Sequence, residues 1–197
     1  MDEGYVKFNC TWIKADPLPY NTLRELDAWR NRLYKLGLIG MYDNGIGFGN
    51  ISIRSSGRTF IISGSATGGL PELDENYYVL VNDYNFLQNS LTCTGPIKAS
   101  SESLTHAAIY ESSPETKAVI HVHHAAMWER LIHNIPTTGE NVEYGTPEMA
   151  DEIKRLFIET KVMQEKILVM GGHYEGIISF GESLDEAGKI LLEKFQG

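Results

Sequence analysis

Cysteine, positive charge and long apolar segments are all scarce in this chain of 197 residues. The two cysteines, Cys10 and Cys93, show no paired spacing, so we expect no disulfide framework and a reducing, cytoplasmic compartment. Acidic residues outnumber basic ones by 26 to 17, which argues against nucleic acid or an anionic membrane as the main partner. No apolar run is long enough to span a bilayer, and the charged first twenty residues do not resemble a signal peptide.

What is present is a mixture of helix and strand patterns along the whole length, which predicts one α/β domain over residues 1–197 around a mixed sheet. Apolar residues at steps of three and four predict a helix that begins near Thr22, with Glu25 completing a capping box, and ends at Gly37. Its apolar stripe is Leu26, Trp29, Leu33 and Leu36. Further helices are predicted at 101–113, 125–132, from Thr146-Pro147 and from Ser183, and strands at 50–54, 59–63, 77–81, 117–123, 166–170 and 176–180.

Half of the six histidines fall in the segment AVIHVHH, at residues 118–124. Alternate residues of a strand point to the same face, so His121 and His123 project together while Ile120 and Val122 face apolar packing. Two imidazoles at this spacing can chelate a divalent ion, which we favour over two polar residues bonded to backbone or water. His124 points the other way or begins the next turn, and we expect no ligand there.

A metal site needs a third ligand, and His173 and Glu102 are the candidates. His173 follows a predicted strand and two glycines, where backbone can approach a site closely, although a surface turn histidine is the alternative. Glu102 lies in KASSES at a helix start, which suits an anion or a phosphate but also ordinary capping. His106, one turn further along, is expected on the helix surface. Three histidines with one open position would make a catalytic zinc site.

Two glycine-rich stretches, NGIGFGNIS at 44–52 and SGSATGG at 63–69, each adjoin a predicted strand. Glycine with serine and threonine lets successive N–H groups form a nest for phosphate, but tight turns would explain either stretch alone. Neither has the lysine of a P-loop or the spacing of a dinucleotide-binding loop.

Taken in order, the motifs GFGNIS, SGSATG, KASSES and AVIHVHH, followed by a late histidine after a strand, resemble the class II aldolase and adducin family. The resemblance runs from about Leu36 to the end of the chain. It implies a three-layer αβα domain around a mixed, largely antiparallel sheet. It also implies a homo-oligomer, typically a tetramer, and a phosphorylated sugar as the small-molecule partner.

The resemblance also implies roles for individual residues. His121, His123 and His173 would bind Zn²⁺ or another divalent metal, and Glu102 would be the general acid and base. The substrate phosphate would be held by a set of glycine, amide and hydroxyl residues: Gly49, Asn50, Thr67, Gly68, Ser100 and Ser101. The implied reaction is retro-aldol cleavage of a ketose phosphate through a metal-stabilised enediolate.

Other functions stay open on the sequence. A sugar-phosphate dehydratase would share the metal and the early steps, and an adducin-like interaction domain would keep the fold without chemistry. A cupin also begins with H-x-H but is all-β and needs a glutamate closer to the second histidine than Glu129 is. The family's catalytic tyrosine is not located; Tyr144 is the nearest, at a position where the family has a non-catalytic aromatic residue. The late motif is GGHYEG instead of the usual His-Gly, and we expect packing or surface roles for Tyr174 and Glu175.

Overall fold

The structure is a computed structural model that describes residues 6–197; the first five residues of the predicted domain lie outside the described residues. Its strands are β1 (Asn9–Lys14), β2 (Gly40–Met41), β3 (Gly47–Phe48), β4 (Asn50–Ser56), β5 (Thr59–Ser63), β6 (Tyr78–Asn85), β7 (Ser90–Gly95), β8 (Ala118–His123), β9 (Ile167–Val169) and β10 (Gly176–Gly181). Eight of them form one sheet in the order β1-β7-β6-β5-β4-β8-β10-β9, while β2 and β3 pair with each other. β1 and β7 are parallel and the other neighbours are antiparallel, so the sheet is mixed and largely antiparallel, as predicted.

Helices cover both faces of this sheet. They are α1 (Tyr20–Lys35), α2 (Ser103–Ser112), α3 (Ala125–Leu131), α4 (Pro147–Glu159), α5 (Val162–Glu165) and α6 (Leu184–Gln196). The apolar residues of α1, α3 and α6 form one core against the sheet, and those of α2 and α4 form a second core on the opposite face. The predicted three-layer αβα architecture is therefore confirmed. No helix within residues 6–197 combines the length and apolar character needed to cross a membrane.

The first helix starts earlier than its sequence pattern predicts. Pro19 is the residue before α1, and the Thr22 hydroxyl donates to the Pro19 carbonyl instead of capping a helix. The predicted capping box at Thr22 is wrong because proline fixes the backbone before the helix and starts it two residues sooner. Leu36 also lies just past the helix end and is 40% exposed, so it is not part of the buried stripe. Gly37 follows with a φ of +72°, which is the predicted helix stop.

One edge strand of the sheet, β1, and its neighbour β7 were not among the predicted strands. β1 alternates exposed and half-buried residues over its first four positions, and β7 is its only neighbour among the strands of residues 6–197. Their pairing brings the sulfur atoms of Cys10 and Cys93 to 3.7 Å, with both thiols free.

The capping residues of two later helices are those predicted from the sequence. Thr146 caps α4 by accepting from the Met149 N–H, and Ser183 caps α6 by accepting from the Glu186 N–H. The α2 helix begins at Ser103, two residues after the predicted start, and ends before Pro114 as predicted. The start of α2 bears on the site because Glu102, one of the predicted site residues, is the residue immediately before the helix.

Candidate metal centre and active site

Three buried histidines meet at one point of the fold. His121 and His123 project from β8 toward the face covered by α2 and α4, while Ile120 and Val122 pack into the opposite core, as strand alternation predicts. His173 comes from the turn between β9 and β10, and Gly176 in β10 is paired with His123. One ligand atom from each histidine lies within 4.8 Å of the others, and all three side chains are buried.

The two glycines before His173 are required by close packing. A Cβ atom on Gly171 would lie 2.3 Å from the Thr138 carbonyl oxygen, and one on Gly172 would lie 2.3 Å from the Val142 carbonyl oxygen. Real Cβ atoms do not approach backbone this closely. The segment 138–142 can therefore pack against the turn only because both positions are glycine, and this packing fixes the turn that presents His173.

Burial keeps all three imidazoles neutral. The pKa values of His121 and His123 lie well below the usual histidine value because burial disfavours the charged ring, and neighbouring histidines lower them further. Burial also lowers the pKa of His173 to about 4, with a smaller contribution from the Lys7 charge. Neutral imidazole is the form that binds metal.

The Glu102 carboxylate completes this cluster. Its Oε1 lies 3.5 Å from Nε2 of His173, and the side chain is only 3% exposed. Because His173 is neutral near pH 7, the contact is not an ion pair there. A buried carboxylate beside three histidines is the arrangement that can either approach a metal or move a proton next to it.

One cavity contains every residue that the sequence singled out for the site. Its described lining includes the three histidines, Glu102, Gly49, Asn50, Thr67, Gly68, Ser100 and Ser101. Backbone sterics explain two of the glycines. A Cβ on Gly49 would lie 2.7 Å from Ile39, and one on Gly68 would lie 2.4 Å from the Gly40 carbonyl oxygen.

Asn50 and Tyr42 each contact one of the two β8 histidines. Asn50 is paired with His121 across β4 and β8, and its Nδ2 lies 3.3 Å from Nδ1 of His121. The hydroxyl of Tyr42 lies 2.9 Å from Nδ1 of His123. Asn50 could be predicted from the sequence because it lies in the GFGNIS motif. Tyr42 lies in none of the motifs and was not predicted.

Tyr144 is also in the cavity wall. Its ring centroid lies 4.7 Å from that of His173, and the side chain is 5% exposed. Lys7 sits 4.3 Å from the centroid of the same ring and forms an ion pair with Glu143 at 2.8 Å. The sequence placed Tyr144 only as the nearest tyrosine to the site, whereas the fold brings its ring beside a histidine of the cluster.

Arg30 is a buried cation behind the cavity. It donates to the carbonyl oxygens of Thr67 and Gly68 at 2.8 and 3.1 Å and is 1% exposed. Arg30 lies on α1, so the two carbonyls point toward that helix. A trans peptide places C=O and N–H on opposite sides, and the N–H groups of Gly68 and Gly69 therefore point away from α1. Sequence analysis missed Arg30, although it lies four residues after Leu26 on the apolar stripe, where a charged residue is unusual.

Replacing Arg30 by methionine should lower the free energy of unfolding by about 1–3 kcal/mol, because a buried carbonyl loses its donor. Arg24→Met is the matched control, since Arg24 is exposed on the same helix. Urea denaturation followed by circular dichroism measures both variants. Equal stability of the two would contradict the anchoring role of Arg30.

His106 is not on the helix surface as predicted from the sequence. The α2 helix is buried from Ser103 to Tyr110, and the His106 side chain is fully buried, because α4 covers the side of α2 that faces away from the sheet. Nδ1 of His106 lies 2.7 Å from the Ser52 hydroxyl, which lies 2.8 Å from the Tyr110 hydroxyl. Burial lowers the pKa of His106 to about 3.

This pKa predicts a loss of stability in acid. The unfolded chain binds a proton at His106 near pH 6.5, whereas the folded chain does not until about pH 3, so stability present above pH 6.5 is lost as the pH falls. Between pH 7 and pH 4, the metal-free wild type should lose about 3 kcal/mol more than His106→Asn. Urea unfolding of both proteins at the two pH values measures this difference. Equal losses would show that His106 is not neutral in the folded state.

Comparison with known proteins places this geometry in a family. Residues 32–193 match the model of the class II aldolase and adducin N-terminal domain. No curated protein sequence is similar enough to count as a match. The structure of an L-fuculose 1-phosphate aldolase superposes with a TM-score of 0.68 at 18% identity, over 91% of this chain and 84% of that one.

Two further structures share the fold. A sugar-phosphate aldolase from Thermotoga maritima has a TM-score of 0.66 at 18% identity, over 89% of this chain and 91% of that one. YgbL from Escherichia coli, described as a candidate aldolase, epimerase or decarboxylase, has a TM-score of 0.65 at 17% identity, over 88% and 84%. Since the family model covers most of the sequence, the chain belongs to the class II aldolase and adducin N-terminal domain family.

Proposed function

We propose that this protein is a zinc-dependent lyase that cleaves a phosphorylated ketose by a retro-aldol reaction. The observation that carries the proposal is the buried cluster of His121, His123 and His173, with the Glu102 carboxylate beside it. Family membership supports a lyase, and L-fuculose 1-phosphate aldolase, which shares the fold, is named for a phosphorylated sugar.

The donor set fits a divalent metal of the zinc type. Three neutral imidazoles make a suitable set of ligands and leave a coordination position for substrate. Nε2 of His121 and Oδ1 of Asn50 are both buried and have no hydrogen-bond partner among the described residues. With the Asn50 amide turned so that Oδ1 accepts the Nδ1 proton of His121, Nε2 of His121 carries the lone pair that a metal binds. A bound Zn²⁺ would polarise the substrate carbonyl and stabilise the negative charge left when the carbon–carbon bond breaks.

The substrate phosphate is assigned to the polar loops around the histidines. Backbone N–H groups and hydroxyls near Gly49, Thr67 and Ser100 border the same cavity, and no lysine or arginine occurs in its described lining. The N-terminus of α2 begins directly after Ser101 and Glu102 and adds partial positive charge. An overall acidic protein can hold a phosphate in this way.

Glu102 is assigned the proton transfer at the reacting carbon. Cleavage breaks one carbon–carbon bond. The hydroxyl on the carbon that becomes the aldehyde loses its proton, and the three-carbon ketone phosphate gains one at the carbon from which the aldehyde left, so no net proton is consumed. Glu102 is buried against the histidine cluster, where a carboxyl group can deliver that proton without competition from bulk water.

The test is a cleavage assay on zinc-loaded protein. Ketose 1-phosphates of different stereochemistry are supplied, and aldehyde release is followed by coupled reduction. Release of an aldehyde together with one equivalent of three-carbon ketone phosphate is the expected result. Zinc-loaded protein that releases no aldehyde from any of these substrates would contradict the proposed reaction, and loss of water from a substrate would replace it with a dehydratase.

A further inference from the structure

A chain of hydrogen bonds runs from the histidine cluster to a carboxylate at the edge of the site. Nδ1 of His123 lies 2.9 Å from the Tyr42 hydroxyl, and the same hydroxyl donates to Oε2 of Glu175 at 2.5 Å. The three residues come from the loop between β2 and β3, the end of β8, and the turn before β10. Neither Tyr42 nor Glu175 belongs to the ten residues that the sequence assigned to the site.

The donors and acceptors in this chain have one consistent order. An ionised carboxylate can only accept, so the Tyr42 O–H points to Glu175. The phenol oxygen then accepts from His123, which places the ring proton on Nδ1. Nε2 of His123 is left with its lone pair toward the cluster, in the tautomer that binds a metal.

The backbone at Glu175 has an unfavourable conformation for a residue with a side chain. Its φ is +69°, in the left-handed region that favours glycine. Its carbonyl accepts from the His124 N–H at 3.1 Å, which ties this turn to the strand that carries His123. Glycine at position 175 would adopt this backbone conformation without strain. The presence of glutamate there indicates that its side chain has a function.

Tyr42 is fixed by its own turn. Its N–H donates to the Ile46 carbonyl, and its carbonyl accepts from the Gly45 N–H, both at 2.9 Å. Its ring packs against Phe48, with 4.6 Å between the centroids. The hydroxyl is therefore held at the position where it meets both His123 and Glu175.

We infer that Tyr42 and Glu175 are positioning residues for the metal, acting through His123. Together they fix the tautomer and orientation of one ligand. The carboxylate also makes the imidazole a stronger electron-pair donor to the metal. The inference deepens the proposed function, because it rests on the three histidines binding a divalent metal.

The test uses the full chain and Zn²⁺ alone, without substrate. Metal-free protein competes with a chromophoric chelator for zinc, which gives the dissociation constant. Tyr42→Phe keeps the ring and its packing and removes only the hydroxyl; we expect it to weaken zinc binding by about 10–100-fold. The matched control is Tyr174→Phe, because the exposed Tyr174 hydroxyl contacts Glu129 at 3.2 Å and not the histidine cluster; it should bind zinc like the wild type.

A double variant separates positioning from general packing. Glu175→Gln should also weaken zinc binding, and Tyr42→Phe combined with Glu175→Gln should bind no more weakly than Tyr42→Phe, since the carboxylate acts through the tyrosine. The cobalt-substituted proteins give an independent readout, because a changed His123 orientation shifts the visible absorption of Co²⁺. Urea denaturation of the metal-free variants shows whether they remain folded.

Each outcome has one meaning. Tyr42→Phe that binds zinc as tightly as the wild type would overturn the positioning role and leave the proposed function intact. Wild-type protein that binds no zinc would overturn the metal site and this role with it. Wild-type protein that binds zinc, loses affinity in Tyr42→Phe, and cleaves no ketose phosphate would support the positioning role and contradict the proposed reaction.

Discussion

Changing His121 to alanine should remove the metal from the protein and lower kcat/KM for ketose phosphate cleavage by at least about 10³-fold. A metal of this kind supplies several kcal/mol of charge stabilisation in the transition state, and two remaining histidines are a poor site. The His121 ring is one of the three in the cluster, with its centroid 4.8 Å from that of His123 and 5.5 Å from that of His173. Zinc content by plasma mass spectrometry and the aldehyde-release assay measure the two effects.

The control for this variant lies three residues further along the same segment. His124 is also part of AVIHVHH, but it caps α3 by accepting from the Met127 N–H at 3.0 Å. His124→Ser supplies a hydroxyl oxygen that can accept this hydrogen bond in place of the ring nitrogen, so the variant should keep both the metal and the activity. Full zinc content in His121→Ala, or loss of zinc in His124→Ser, would contradict the assignment of ligands.

The divergence between His121 and His124 shows what strand alternation can predict. The two-residue period of a strand places His121 and His123 on one face and excludes His124 from it. In the structure the first two histidines share a face and His124 caps α3. The same logic failed at His106, because the sequence cannot tell which sides of α2 are covered. That depends on α4, which begins some forty residues later in the chain and packs across it.

The residues that sequence analysis missed are joined by contacts between distant segments. Tyr42 meets Glu175 across 133 residues, and Arg30 meets the Thr67 carbonyl across 37. Neither contact leaves a local pattern. The motifs around Asn50, Ser100 and His121 could be found because each is compact in sequence, whereas the groups that hold those motifs in place are set by the pairing of β4, β8 and β10.

The edge strand β1 illustrates a second physical limit. A central strand such as β8 is buried along its whole length and stands out as an apolar run. Within the described part of the chain β1 has a neighbour on one side only, and it mixes polar and apolar residues, so its sequence resembles a loop. Its place in the sheet follows from pairing with β7, which sequence patterns do not record.

Changing Glu102 to glutamine should lower kcat by about 10²–10⁴-fold while zinc content stays near that of the wild type. Glutamine keeps the shape of the side chain but cannot exchange a proton as a carboxyl group does. Glu102 lies next to His173 and is nearly fully buried, so no bulk water can replace it directly. The sharpest measurement is the exchange of carbon-bound hydrogen in the three-carbon ketone phosphate with solvent deuterium, which isolates the proton transfer from carbon–carbon cleavage.

Glu111 on the same helix provides the matched control. It is exposed and faces Arg58 and Lys154, at 3.6 and 3.8 Å, so Glu111→Gln should leave exchange and cleavage unchanged. If Glu102→Gln lost its zinc along with its activity, Glu102 would be a metal ligand and not the group that moves the proton. If the variant kept normal deuterium exchange with its zinc in place, the proton would move through another group, and the Tyr144 ring beside His173 would be the next side chain to change.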